Sequence, residues 1–187
     1  MREEIEKAVE VLKSGGIILY PTDTIWGIGC DATNEEAVQK VYQIKRRCEA
    51  KSLIVLVDSD MRLERTIEEV PVVAWDLIDF TEKPLTIIFD KPKGIAPSAV
   101  NEDNSIGIRI TKDTFCQELI RKINAPLIST SANISGSKQA NSFDKIDAEI
   151  RNSVDHIVNL RQDDKSMNQS SMIIKLDNSG LIKIIRE

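Results

Sequence analysis

Apolar positions along this chain switch between a helical and an extended period, and the switches mark its elements. Ile5, Ala8, Val9 and Leu12 fall at i, i+3, i+4 and i+7, one face of a helix. Residues 2–14 are therefore predicted helical, with Gly15-Gly16 as the stop. Ile17 to Tyr20 is an apolar run of strand length ended by Pro21. Thr33-x-x-Glu36 has the form of a capping box and predicts a helix whose inward face is Ala37, Val38, Val41 and Tyr42. Strands are expected at 53–57, 85–89, 105–110 and 126–130, and helices from Pro71 to about Phe80, at 114–123 and at 143–150. Residues 91–100 read as a proline-containing loop. Strands at 156–159, 172–176 and 181–185 close the chain, the last two joined by the hairpin signal Asp177-Asn178-Ser179-Gly180.

Strands alternate with helices, yet some strand pairs have no helix between them. This predicts an α/β fold on a mixed parallel and antiparallel sheet, in one domain spanning 1–187. Composition adds little: 41% hydrophobic and 29% charged is that of an ordinary globule. No apolar run approaches the roughly 18–20 residues of a membrane span. The glutamate-rich opening lacks the hydrophobic core of a secretory signal. Cys30, Cys48 and Cys116 are odd in number and form no CxxC, which predicts free thiols, packed as core fillers, in a reducing cytoplasm. The net charge of −5 argues against non-specific nucleic-acid binding over the whole surface. It leaves room for a local basic groove, for which Lys45-Arg46-Arg47 is the one compact cationic cluster.

Familiar site motifs are absent or misplaced. Gly27-x-Gly29-x-x-Ala32 matches a dinucleotide fingerprint, but that motif has meaning only where the glycines open a helix. A helix starting at Thr33 begins too late. There is no GxxxxGK[ST], GxSxG, HExxH or EF-hand pattern. The single His156, in the apolar segment SVDHIVN, reads as structural, and the cysteines are too widely spaced for a zinc knuckle.

The stretch PLISTSANISG carries more chemistry. In an extended chain Leu127, Ser129, Ser131 and Asn133 share one face, and Ile128, Thr130 and Ala132 the other. A strand that begins apolar thus ends in small donors able to hold an anion, although turn residues at a strand end have the same composition. Lys45 and Arg47 at i and i+2 do not share a helix face. Both reach one ligand only if the helix ends near Lys45 and the backbone then extends. With Lys51 ahead of the next strand, and Arg109 opposite Ile108 and Ile110 in SIGIRI, several cations could converge with Ser131 and Asn133. Such a cradle uses point charges and a guanidinium fork in place of a glycine loop.

GGIILYPTDTIWGIGCDA, IKRRCEAKSLIVLV, KPLTIIF, SIGIRI, PLISTSANISG and the closing SSMIIKL…IIRE occur in the order seen in the YrdC family. The chain resembles the short, single-domain form of these threonylcarbamoyl-adenylate synthases of tRNA modification. The resemblance implies a twisted mixed sheet flanked by helices, with a deep, concave, electropositive cleft. It implies that threonine and bicarbonate give N-carboxy-threonine, which attacks the α-phosphorus of ATP and releases pyrophosphate. The product, threonylcarbamoyl-adenylate, would pass to a downstream tRNA threonylcarbamoyl transferase complex. ATP and Mg²⁺ are the implied cosubstrate and ion, with tRNA or double-stranded RNA as a further ligand. Residue by residue, Lys45, Arg47, Ser131 and Asn133 fall on the family's KxR and SxN positions, and Thr24 where threonine is contacted. Lys51, Arg109, Ser171 and Arg186 match further nucleotide-contacting positions. Thr22 and Trp26 are expected to line the same site, and the glycines after them to permit close packing of chains. Residues 160–170 are the candidate lid. Met172 departs from the pattern, standing where threonine or glutamate is expected. The competing readings are an RNA-binding module in translation or ribosome maturation and a non-synthase paralogue. An acidic total and 4% aromatics weaken the first, since single-strand binders use stacking surfaces.

Overall fold

The computed structural model describes residues 1–46, 53–164, 170–176 and 181–187. Helix α1 (Arg2–Lys13) leads into β1 (Ile18–Tyr20) and β2 (Gly27–Gly29), followed by α2 (Glu35–Ile44) and β3 (Ile54–Val57). Two helices, α3 (Asp60–Thr66) and α4 (Val72–Phe80), precede β4 (Leu85–Asp90), and β5 (Ser105–Ile110), α5 (Thr114–Ile123) and β6 (Leu127–Ser131) follow. The chain closes through α6 (Ala148–Asn152), β7 (His156–Ile157), β8 (Met172–Leu176) and β9 (Ile182–Arg186). Among the described residues nine strands form one sheet in the order β7-β1-β2-β6-β3-β5-β4-β8-β9. It is mixed: β1–β7, β3–β5 and β4–β8 are parallel, the other pairs antiparallel. The expected α/β fold with a mixed sheet is what the chain adopts.

Several local expectations change. The cap of α2 is Asn34, whose Oδ1 accepts from Ala37 N at 3.0 Å. Thr33 instead bonds Asp31 through both its amide and its hydroxyl, so the capping box one residue earlier does not form. The helix expected at 143–150 is a 3-10 turn, Phe143–Lys145, followed by the short α6. The loop at 91–100 holds a 3-10 turn at Pro97–Ala99. The hairpin turn at 177–180 and the centre of the candidate lid, 165–169, lie outside the described residues.

Alternation along the strands gives the sheet two unlike faces. Ile28, Val55, Val57, Ile87, Phe89, Ile108, Ile128 and Ile174 belong to the larger core cluster, which includes Ala37, Val38, Val41 and Tyr42 of α2 and Ala74 of α4. On the opposite face Ile18, Tyr20, Leu56 and Leu127 are covered by Ile5, Ala8 and Leu12 of α1 and by Phe115, Leu119 and Ile120 of α5. That helix pair covers only part of this face. Cys30 and Cys116 are buried free thiols, as expected of core fillers, and burial pushes both thiols up in pKa.

The glycines of β2 serve packing. A Cβ on Gly29 would stand 2.6 Å from Ile128 O and 2.7 Å from Tyr20 Cε1, both fully buried. Gly29→Ala is expected to destabilise the fold by about 1–3 kcal/mol through overpacking, read as a lower midpoint in urea unfolding. An unchanged midpoint would show that β1, β2 and β6 are less tightly packed than this.

Candidate active site

Where α1 and α5 leave the sheet uncovered, a cleft of 510 Å³ opens. Its floor is the second set of alternating residues: Gly27 of β2, Ser129 and Ser131 of β6, Ile54 of β3, Gly107 and Arg109 of β5, Thr86 and Ile88 of β4, and Ile173 of β8. One wall is the β1–β2 turn through Thr24, Ile25 and Trp26, and the other is Ser170, Ser171, Ile185 and Arg186. Trp26 is fixed by Phe143, ring centroids 4.8 Å apart and tilted by 46°. Among the described residues the charged side chains of the lining are Arg109 and Arg186.

The turn is held by its own hydroxyls. Thr22 Oγ1 donates to Ile25 O at 2.8 Å, accepts from Thr24 N at 3.0 Å, and lies 2.9 Å from Thr24 Oγ1. Arg109 Nη1 donates to Thr24 Oγ1 at 3.1 Å, and Arg109 Nη2 stands 3.2 Å from Asp23 Oδ1. Arg109 is 4% exposed, yet its Nε–H has no partner among the described residues. That nitrogen is enclosed, out of reach of an atom of water's size, and an unpaired buried donor of this kind is costly. Across the floor Arg186 donates from Nε (3.0 Å) and Nη2 (2.8 Å) to Ser171 O, and Ser171 Oγ sits 2.8 Å from Thr86 Oγ1. Burial, and then the charge of Arg109, lower the Arg186 pKa; two like charges share one cleft.

The helix does end at Lys45, as its pairing with Arg47 required: Lys45 is the C-cap of α2 and Arg46 is left-handed, φ 47°. Its ammonium, 2% exposed, does not line the cleft. It donates to the carbonyls of Ser131 and, at 2.5 Å, Asn133, with Ser131 Oγ and Asn133 Oδ1 each at 3.4 Å. The tip of α2 and the end of β6 therefore meet, and the cation fixes where β6 ends. Because β6 stops at Ser131, the expected face of four residues is broken. Asn133 turns away and donates its amide to Ile134 O and Ser137 O, while Ser131 remains in the cleft. Arg47 and Lys51 lie outside the described residues.

Thr24, Trp26, Arg109, Ser131, Ser171 and Arg186 thus gather around one opening; Thr22, expected to line it, sits behind the turn, where it holds Thr24 and borders a separate small pocket. Ser129 lines it beside Ser131, on the donor face expected of that strand, while Thr86, Gly107 and Gln139 also line it and escaped the sequence reading. Met172 does not face it: its side chain packs against the core of the opposite face, so its departure from the family pattern removes no cleft contact. His156 is on β7, its Nε2 3.4 Å from Glu4 Oε2, consistent with a structural role. Among the described residues no group of three His, Cys, Asp or Glu stands where it could hold a metal, and no helix is long and apolar enough to cross a membrane.

Fold and cleft together define an α/β protein with a candidate anion site built from arginines and hydroxyls instead of a glycine-rich phosphate loop. The chain belongs to the Sua5/YciO/YrdC family, whose model, described as telomere recombination, matches residues 10–187. A Methanocaldococcus jannaschii protein, provisionally named threonylcarbamoyl-AMP synthase, is 40% identical over 187 residues, 97% of this chain and 86% of its own. The threonylcarbamoyl-AMP synthase of Hahella chejuensis is 33% identical over 153 residues, 81% of this chain and 83% of its own. Among solved structures, P. abyssi Sua5 complexed with L-threonine shares the fold at TM-score 0.81 and 24% identity; the match covers 92% of this chain and 50% of that one.

Proposed function

We propose that residues 1–187, acting as one domain, catalyse a nucleotidyl transfer: L-threonine, bicarbonate and ATP give threonylcarbamoyl-adenylate and pyrophosphate. The observation that carries this is a cleft whose charged lining, among the described residues, is two arginines, Arg109 bonded to Thr24 and Arg186 bonded to Ser171. Relatives named for this activity and the threonine complex of P. abyssi Sua5 support it. At 510 Å³ the cleft has the size of a small-molecule site, which favours a nucleotide and an amino acid over an RNA duplex.

Thr24, with Thr22 and Trp26, forms the threonine end. Lys45, Arg47, Lys51, Ser131, Asn133, Ser171 and Arg186 serve the nucleotide. Lys45 and Asn133 do so by fixing the β6 terminus that presents Ser131. Arg109, bonded to Thr24, stands where the two substrates meet. The attacking carbamate is already anionic, so no general base is required of the chain; its residues position reactants in line and neutralise oxygens. Among the described residues the lining holds no carboxylate; Mg²⁺ bound with the triphosphate would supply charge neutralisation. The product serves the transferase complex that modifies tRNA.

Pyrophosphate release should require threonine, bicarbonate and ATP together. Release that ignores omission of threonine would remove this reading. Gly107→Val gives a further check. Its Cβ would lie 3.3 Å from Thr86 Cγ2, so the fold gives way slightly while the branches rise from the cleft floor. A KM for ATP raised about tenfold or more is expected, with a stability change under about 1.5 kcal/mol; an unchanged KM would place ATP elsewhere.

A further inference from the structure

We propose that a pocket where β4 begins and β5 ends is a second binding site, for a small zwitterion with an aliphatic body: an α-amino acid of the isoleucine or leucine type. The site stands without the functional reading above; only its effect on the cleft rests on that reading. The pocket, of 210 Å³, is separate from the cleft and lies against the end of α4. Ile78 of α4, Leu85 of β4 and Ile110 of β5 supply its apolar surface. Its ionisable lining is balanced among the described residues, Lys83 and Lys112 against Asp23 and Glu82. The cleft, with two arginines, suits anions; a balanced lining suits a ligand that carries both charges and no net one. The volume falls below the roughly 300–1,000 Å³ of drug-sized sites and fits one amino acid.

Each end of such a ligand has a partner. Its carboxylate meets the two lysines, and Lys112 already reaches the end of α4, with Nζ 3.4 Å from Thr81 O. Its ammonium meets Asp23 and the C-terminus of α4. That helix has no basic residue in its last turn, so the negative end of its dipole favours a cation there. Asp23 also joins the pocket to the cleft. Its Oδ1 is enclosed, 3.2 Å from Arg109 Nη2, while the side chain keeps 19% of its surface exposed and borders the pocket. An ammonium paired with Asp23 offsets the negative charge beside Arg109. The cleft becomes more positive and holds anions more tightly, with no movement of the chain required.

The first readout is a titration of the protein with L-isoleucine followed in ¹H–¹⁵N spectra. Saturable shifts centred on residues 78–85 and 110–112 are expected, with a Kd on the order of 1 mM. Lys83 and Lys112 are exposed and lie outside the cleft lining, so the double variant Lys83→Met, Lys112→Met should fold. It should bind L-isoleucine about fivefold more weakly or worse, and L-isoleucinamide, which lacks the carboxylate, should bind the wild type with a similar loss. No saturable shift, shifts centred on Thr24, Trp26 and Ser131 instead, or undiminished binding by the double variant would overturn the site. L-threonine filling the pocket as tightly as L-isoleucine would overturn the aliphatic assignment. The second readout is the calorimetric Kd for ATP, which saturating L-isoleucine should lower about fivefold. An unchanged or raised Kd overturns the coupling through Asp23. A protein that binds no ATP overturns the functional reading, while the isoleucine titration still decides the pocket.

Discussion

Arg109→Met should lower threonine-dependent pyrophosphate release by about a hundredfold or more, the scale seen when one preorganised donor to a reacting oxyanion is removed. Methionine fills much of the volume but supplies neither of the nitrogens that reach Thr24 and Asp23. A stability loss accompanies it, because Asp23, with 19% of its side chain exposed, loses its counter-charge. Breaking a buried pair by deleting one partner costs about 3–5 kcal/mol, and the partial exposure of Asp23 puts this case at the lower end. Thermal unfolding followed beside the rate separates the two effects. A folded variant with near wild-type turnover would remove Arg109 from the site.

Lys45→Met is the second large effect, and it should appear first in stability. The ammonium is 2% exposed and bridges two main-chain carbonyls at the end of β6. Each buried acceptor left without a donor costs about 1–3 kcal/mol. A total near 3 kcal/mol corresponds to a fall in Tm of roughly 6–12 °C for a protein of this size. Turnover should be lost even at temperatures where the variant is folded, since Ser131 is no longer held against the cleft. Lys45→Arg should not rescue it, because a planar fork does not fit between carbonyls arranged around a compact ammonium. An unchanged Tm with full activity in Lys45→Met would contradict this role.

Much of the architecture was legible because the periods were clean. The helix at 114–123 and the strand at 105–110 match α5 and β5 residue for residue. What escaped was short or context-bound. Helix α3 is seven residues long and buries only Leu63 and Thr66, too few positions to set a period. Strand β2 is Gly-Ile-Gly; its extended form comes from pairing with β1 and β6, and its glycines look like a loop until the Tyr20 ring above them is known.

The site was legible in its residue types and less so in their roles. Lys45 and Ser131 were expected to meet and do, but the meeting is between an ammonium and backbone carbonyls, which no side-chain motif encodes. Gly107 could have been found: SIGIRI alternates three isoleucines with Ser105, Gly107 and Arg109, so the face that carries the arginine carries the glycine too. Arg186 could be placed only with the sheet order, which brings the last strand across from Arg109. Asp23 gave no signal of its own, since its partner is 86 positions away in the chain.

The most direct measurement is the mass of the product formed from ATP, L-threonine and ¹³C-bicarbonate. The account predicts threonylcarbamoyl-adenylate carrying one ¹³C, absent when threonine is omitted and strongly reduced in Arg109→Met. ATP consumed without a labelled adenylate, or an Arg109→Met yield equal to wild type, would contradict it.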